Sequence, residues 1–367
     1  MLQAPGAARL GDGRVVYLHG TPHEQGRQLG EAAGDLIREN IAEATRLCDQ
    51  IAADLNRSAY RAMTLRNEAW VAREFPELLD ELHGIAAGAE MDYPDLLDLN
   101  VNTDVAYARA YSELQDCTQI LAMAPATVDG KTYVGKTRDL RLGPKRHVLL
   151  HREYDDGTFR NEFQIAGQLT LPVGVNSHGV ALTTSGQWSP RIVVDLTRAD
   201  RAWHILNLQP LLRHARSVDD VIREQPRVCG MLLVASDPVR SVALEVTGDE
   251  VYVFEVEDGL LARTNHFLGP RFRHLAPTVE ENRGTFDRHA RACALATQRH
   301  GSIGMHDVLR ILSDHAEPPV QSICRHPAPD QAGATYAATI ICPQDRRMWA
   351  LFGNPCEGIQ AVGVPGE

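Results

Sequence analysis

The chain is poor in lysine, has no paired-cysteine motif and lacks any long apolar run. Only three of its 37 Lys+Arg residues are lysine, namely Lys131, Lys136 and Lys145. Arginine is therefore the default cation, and a lysine in its place signals that a compact, pKa-tunable ammonium is wanted there. The seven cysteines, at positions 48, 117, 229, 293, 324, 342 and 356, form no Cys-x-x-Cys pair. An odd count at wide spacing indicates neither a disulfide framework nor a zinc site, and no metal or other cofactor is expected. Cys229, Cys293 and Cys342 lie in apolar or helical surroundings and read as small buried residues. No segment approaches the roughly 18 apolar residues of a membrane span. Met1 to Gly20 has neither a basic start followed by an apolar stretch nor a small-residue cleavage site, so a cytoplasmic protein with no membrane partner is expected.

Positive charge is also short. The net charge of −11 excludes an extended basic face and argues against nucleic acid as a partner. The basic cluster Arg271-Phe272-Arg273-His274 is short and reads as solvated loop. Apolar content of 44% and charged content of 23% over 367 residues are those of a globular chain with a substantial core, in one large domain or two ordinary ones.

The chain changes character at Cys117. Leu29, Ala33, Leu36, Ile37, Ile41 and Ala44 share one helical face, with the pattern running toward Leu55. A second helix is expected over about Tyr60–Phe75, a third from Pro76 and a short one near Asp92-Tyr93-Pro94. From Cys117 onward short β-type segments take over. Cys117–Met123 and Thr132–Arg138 read as strands joined at Asp129-Gly130, and His147–Tyr154 pairs with Phe159–Ile165 around Asp155-Asp156-Gly157. Further strands follow at Val175–Thr184, Cys229–Ala235, Ser241–Val246, Val251–Val256, Ala262–Asn265, Tyr336–Ile341 and Met348–Phe352. Helical patterns at Trp203–His214, Val218–Glu224, Arg288–His300 and Met305–Ser313 interrupt them. The expectation is an α+β, four-layer αββα sandwich of two antiparallel sheets, with a helical segment 1–116 packed on a catalytic unit 117–367.

A thiol on the first residue of the first strand of a β-rich half stands where an N-terminal nucleophile would. Cleavage between Asp116 and Cys117 would free an α-amine to act as base for that thiol. The chemistry also needs oxyanion donors and a charged residue to orient the amine. Gly135-Lys136-Thr137-Arg138-Asp139 ends the strand antiparallel to that of Cys117, so hairpin pairing brings Asp139 toward the start of its partner. Asn176, in the turn before an apolar strand, is either a turn residue or a neutral donor to a carbonyl. Asn265-His266 is a polar pair that a core tolerates only when hydrogen-bonded. His147-x-x-x-His151 has ligand-like spacing on a helix, but in a strand the two share a face at a distance and read as ordinary polar residues.

Together these residues resemble a known family. Asp116-Cys117-Thr118, the Gly135–Asp139 segment, the Asn176 turn, Thr264-Asn265-His266-Phe267, Ser322-Ile323-Cys324-Arg325-His326 and Gly353-Asn354-Pro355-Cys356 look like the acyl-coenzyme A:6-aminopenicillanic acid acyltransferases. These are N-terminal-nucleophile cysteine hydrolases, distantly related to the choloylglycine hydrolases. The glycine-spaced helical opening and Pro76–Leu82 through Gly88-Ala89 match as well. The resemblance implies self-cleavage before Cys117 into two chains that stay associated, with Cys117 as nucleophile, Asp139 as orienting carboxylate and Asn265 as oxyanion donor. Asn176, Lys136, Arg138, His266 and Arg325 are expected to line the substrate site. The substrate would be a small-molecule amide, hydrolysed or used for acyl transfer through a thioester. Two departures stand out: Lys136 where relatives often have Arg, and Asp116 where many have Gly. They leave open an unprocessed homologue, acting as a papain-like hydrolase with Cys117 and His266 or as a non-catalytic binding protein.

Overall fold

The computed structural model describes residues 8–10, 13–51, 57–100, 115–140, 146–169, 173–187, 189, 191, 208–224, 230–247, 250–315, 322–326, 334–357 and 362–364. Lys145, Cys229 and residues 203–207 of the expected helix lie outside them.

The helical pattern of the first third forms α1 (Pro22–Ile51), α2 (Arg57–Glu74) and α3 (Pro76–Gly88), then α4 over 93–100. Pro76 begins α3, where its missing N–H would have no partner anyway. α1 and α3 pack with their backbones almost touching. A Cβ on Gly26 would lie 2.1 Å from the Glu81 carbonyl oxygen, and one on Gly88 would lie 2.0 Å from that of Arg27. Only glycine permits this approach.

Two sheets follow. The nine-stranded one runs β1 (Ala8–Leu10), β2 (Gly13–His19), β6 (His147–Glu153), β7 (Phe159–Ile165), β8 (Val173–Asn176), β9 (Ala181–Gly186), β10 (Met231–Ser236), β11 (Ser241–Val246) and β12 (Val251–Glu255). The seven-stranded one runs β13 (Leu260–Arg263), β4 (Gln119–Ala122), β5 (Tyr133–Leu140), β14 (Ala334–Cys342), β15 (Arg347–Phe352) and β16 (Val362–Val364), with β3 (Gln115–Asp116) also on β5.

Strand alternation sorts the side chains into layers. On β6, Val148 and Leu150 face α1 and α3, while Leu149 faces the other sheet. On β4, Leu121 enters the inter-sheet core with Phe163, Val175 and Met348, and Ile120 and Ala122 face helices. Those helices are α7 (Arg283–Thr297) and α8 (Met305–Leu312). The shorter α5 (Leu208–His214) and α6 (Val218–Glu224) cover β9 to β11. The result is a four-layer αββα sandwich. His147 and His151 share the strand face they were expected to share, one stacked on Phe163 and the other bonded to Asn161. No described helix is long and apolar enough to cross a membrane.

The structure corrects two details of the sequence reading. Segment 1–116 is not helical throughout, because β1 and β2 begin it and belong to the nine-stranded sheet. That sheet is also not purely antiparallel, since β2 pairs in parallel with β6 from Gly13↔His147 to His19↔Glu153. A parallel pair needs a long crossover between its strands, and the stretch from α1 to β5 lies between β2 and β6.

A buried charge network ties the same two segments together. Arg152 on β6 donates to Glu162 on β7 at 2.6 Å, to Glu81 on α3 at 2.6 Å and to Gln25 on α1 at 3.0 Å. Gln25 in turn donates to the carbonyls of Gly20 and Glu153. Arg160 approaches the second oxygen of Glu162 at 3.2 Å.

Candidate active site

Cys117 does not start a strand. It sits in a gap in the ladder between β3 and β4. Asp116 pairs with Asp139 and Gln119 pairs with Lys136, which leaves Cys117 and Thr118 opposite Arg138 and Thr137. Side chains have taken over both backbone donors there. The Cys117 N–H donates to Asn265 Oδ1 at 3.0 Å and the Thr118 N–H to Thr137 Oγ1 at 3.0 Å. The thiol-bearing residue is almost fully buried, at 1% exposure.

Asn265 is held firmly. Its Oδ1 accepts from Arg288 Nη2 at 2.9 Å as well as from Cys117, and its Nδ2 donates to the Gly186 carbonyl at 2.8 Å. Its backbone N–H donates to Thr285 Oγ1 at 2.8 Å. In the intact chain, then, Asn265 grips the amide nitrogen of Cys117. Its own amide NH2 gives one hydrogen bond to the Gly186 carbonyl.

Arg288 is the site residue that sequence reasoning missed. It is fully buried, and its Nη1 donates to the Cys117 carbonyl at 2.6 Å and to Thr118 Oγ1 at 3.1 Å. The α7 N-terminus explains its position. Asn282 caps the helix by accepting from the Thr285 N–H. Thr285 anchors the Asn265 loop, and Arg288 follows one turn later on the same face.

Lys136, Arg138 and Gln119 lie on the inter-sheet face, where Gln119 accepts a hydrogen bond from Thr183 of β9. Lys136 is buried, and burial pushes its ammonium down to about 7. The nearby Arg138 charge acts in the same direction, while Cys117 and Asp139 pull it back up. Asp139 points to the opposite face of β5. There Thr335 Oγ1 donates to its Oδ1 at 2.7 Å, and the same Oγ1 accepts the Arg325 N–H at 3.0 Å. Arg325 is thus beside Asp139 through one shared hydroxyl.

Two further expected site residues are Asn176 and His266. Asn176 accepts from the N–H groups of His178 and Val180 and donates to the Ala215 carbonyl at 2.7 Å. Its Oδ1 holds the β8–β9 turn, and its Nδ2 ties that turn to the residue after α5. β9 carries the chain away from it for six residues to Gly186, roughly 15–20 Å at the usual rise per residue. Of its two sequence readings, the turn residue is the one the geometry supports. His266 packs on Phe286 and meets Thr285 Oγ1 at 3.0 Å through Nδ1. Burial, with the neighbouring His289, Arg288 and Arg263 acting in the same direction, pushes its imidazole down to about 3. The partners of this ring are Thr264, Thr285, Phe286 and His289 rather than the Cys117 thiol that a papain-like pair would need.

Two sheets face to face between helices, with a thiol in a ladder gap at their border, define the αββα sandwich of the N-terminal-nucleophile hydrolases. Within that class the chain belongs to the acyl-coenzyme A:6-aminopenicillanic acid acyl-transferase family, which matches residues 127–357. The match includes Lys136, Arg138, Asp139, Asn265, Arg288 and Arg325 and begins after Cys117. The chemistry that the family is named for is acyl transfer. The chain is also similar to an uncharacterized protein of Archaeoglobus fulgidus, 29% identical over 202 residues, which is 48% of this chain and 33% of that protein. It thus spans about a third of the length of that curated relative. Among solved structures it is similar to a mutant of the conjugated bile acid hydrolase from Clostridium perfringens, with 12% identity and a TM-score of 0.46 over 68% of this chain and 92% of the other. A second variant of the same enzyme gives 13% identity and a TM-score of 0.47 over the same shares.

Proposed function

We propose that the protein is a self-processing amidohydrolase or acyltransferase that acts on a small linear amide through a thioester on Cys117. One observation carries the reading. The peptide unit of Cys117 is gripped by groups from two other elements, with its N–H on Asn265 and its C=O on Arg288. Such a grip holds the residue in place whether or not the Asp116–Cys117 bond is intact. In the first stage the thiol attacks the Asp116 carbonyl, and the acyl group moves from nitrogen to sulfur. Water then releases residues 1–116 as a carboxylate and leaves Cys117 with a free α-amine, still facing Asn265 Oδ1. That amine serves as base in turnover. The thiolate attacks the substrate carbonyl, the leaving amine takes up the proton, and water or a second amine resolves the thioester. The parallel β2–β6 ladder and the Glu81–Arg152 pair would keep the two pieces together after the cut.

The intact mass of purified protein tests the first stage. Pieces of about 13 and 28 kDa, scaled by length from 40.5 kDa, are expected. A single mass near the full value, in protein that is folded and has been left to mature, would sink the self-processing reading.

Lys136 supplies a pH dependence. Before the cut no α-amine exists, and Lys136 is a basic group coupled to Cys117 inside the core. It is an ammonium below about pH 7 and a free amine above it. Processing is therefore expected to speed up as pH rises through that value, when the amine becomes able to take the thiol proton. Lys136→Met should flatten that limb in a time course of cleavage followed by mass. An unchanged pH profile would assign the base elsewhere.

A further inference from the structure

The end of α8, the loop 322–326 and the turn after β15 bring four side chains together that the chemistry above does not use. His315, Cys324, His326 and Cys356 each offer one ligand atom, and the four atoms lie within 4.8 Å of one another. His326 Nε2 is 3.0 Å from His315 Nε2 and 3.1 Å from Cys356 Sγ, and Cys356 Sγ is 3.6 Å from Cys324 Sγ. Both cysteines are free thiols. The geometry points to a structural zinc site of two cysteines and two histidines.

Size and ligand chemistry agree. A tetrahedral zinc with sulfur at about 2.3 Å and nitrogen at about 2.0 Å keeps its ligand atoms roughly 3.3–3.8 Å apart. The observed separations bracket that range, so small shifts suffice to close the shell. Two thiolates and two imidazoles are a soft donor set that favours zinc over calcium or magnesium. Four protein ligands fill the shell and leave no open position for water, as in a structural rather than a catalytic site. On binding, each thiol releases its proton, and two thiolates balance the charge of one divalent cation.

The surroundings are those of a built site. His326 turns Nε2 to the cluster and Nδ1 to Glu357, whose Oε1 is 3.6 Å away. Closing to hydrogen-bond distance, a carboxylate behind a histidine ligand would fix its tautomer and orientation. Asn354 Nδ2 lies 3.5 Å from Cys324 Sγ and donates to the Arg325 carbonyl at 2.6 Å. The Cys324 N–H is held by the Asp314 carbonyl, next to His315. Arg325 stands between two of the ligands, and its N–H reaches the hydroxyl that bonds Asp139. A metal here would pin the 322–326 loop against the end of β5 that carries Asp139. The inference does not depend on the role given to Cys117.

Metal analysis of the wild-type protein, purified without chelator or affinity metal and dialysed, is the test. About one zinc per chain is expected, with loss of that metal in Cys324→Ser and Cys356→Ser. Replacement by Co2+ in the wild type should give the visible absorption of tetrahedral cobalt with thiolate-to-metal charge transfer, a readout that needs no variant to fold. Glu357→Gln should weaken zinc binding about tenfold. Wild-type protein that holds no zinc, gives an octahedral cobalt spectrum or yields a Cys324–Cys356 disulfide in peptide mapping would overturn the proposal.

Discussion

Cys117→Ala is expected to remain a single chain and to turn over amides roughly 10⁴-fold or more below wild type, the scale seen when a covalent nucleophile is removed. The variant isolates the chemistry. The hydrogen bonds of Cys117 with Asn265 and Arg288 run through its backbone N–H and C=O, and alanine keeps both groups. Only the sulfur is lost, from a site that is already closed. A large-to-small change of one heavy atom costs on the order of 1 kcal/mol, so the fold should survive. Melting temperature and intact mass, measured beside the rate, separate chemical from structural loss. Retained turnover in a folded Cys117→Ala chain would move the reaction to other residues. Cys117→Ser refines the result, because a hydroxyl can attempt the same acyl shift but is the poorer nucleophile.

Arg152→Leu is expected to lower stability by about 3–5 kcal/mol, read from denaturant unfolding. Arg152 has no exposed side-chain surface, and it compensates two carboxylates at once, Glu81 at 5% side-chain exposure and Glu162 at 0%. Removing the guanidinium leaves Glu81 without that partner and Glu162 with Arg160 alone. The loss should exceed that of Glu81→Gln, which keeps the guanidinium in place. The pH dependence follows from Glu162. Burial pushes its carboxyl up, but the charges of Arg152 and Arg160 outweigh that and hold it below the usual range. Its contribution is therefore present above the unfolded carboxylate value near about 4.3 and lost as pH falls through the lower folded value. Arg152→Leu should weaken that acid limb. Because Glu81 and Arg152 lie on opposite sides of the Asp116–Cys117 bond, the proposed cleavage would let the variant's two pieces separate at lower denaturant than those of the wild type. Equal stability of variant and wild type would mean that the network contributes nothing net.

The layer order was legible because it rests on local periodicity. Apolar residues at helical spacing before Cys117 and at strand spacing after it specify which faces need burial, and two sheets between helices satisfy them all. The Cys117–Asp139 neighbourhood was legible because consecutive strands pair antiparallel, although their connection, residues 123–132, is longer than the turn at Asp129-Gly130 and the register is set by which strand faces are buried. The N-terminal strands were not. β2 is held by β6 from more than a hundred residues away, and nothing local to Arg14–Leu18 names a parallel partner.

Arg288 and Asn176 show the limit from opposite sides. Arg288 sits in an amphipathic helix of an arginine-rich chain, where its type carries no signal. Only the docking of α7 beside β13 turns it toward the Cys117 carbonyl. Asn176 has the right type for a substrate contact, but its Oδ1 serves its own turn and its Nδ2 the Ala215 carbonyl.

The sequence by itself determined most of the elements after the N-terminal strands, the change of pattern at Cys117 and the kind of chemistry that a thiol there can do. These follow from residue type and near-neighbour spacing, which propensity and burial read directly. Tertiary structure alone decided which long-range partners hold Cys117, that Lys136 loses its surface and is pushed toward about 7, and that four ligand-type side chains meet near Cys356. Hydrogen bonds of side chains and the desolvation of charge depend on what packs against a residue from other segments, and that is settled only when the layers close.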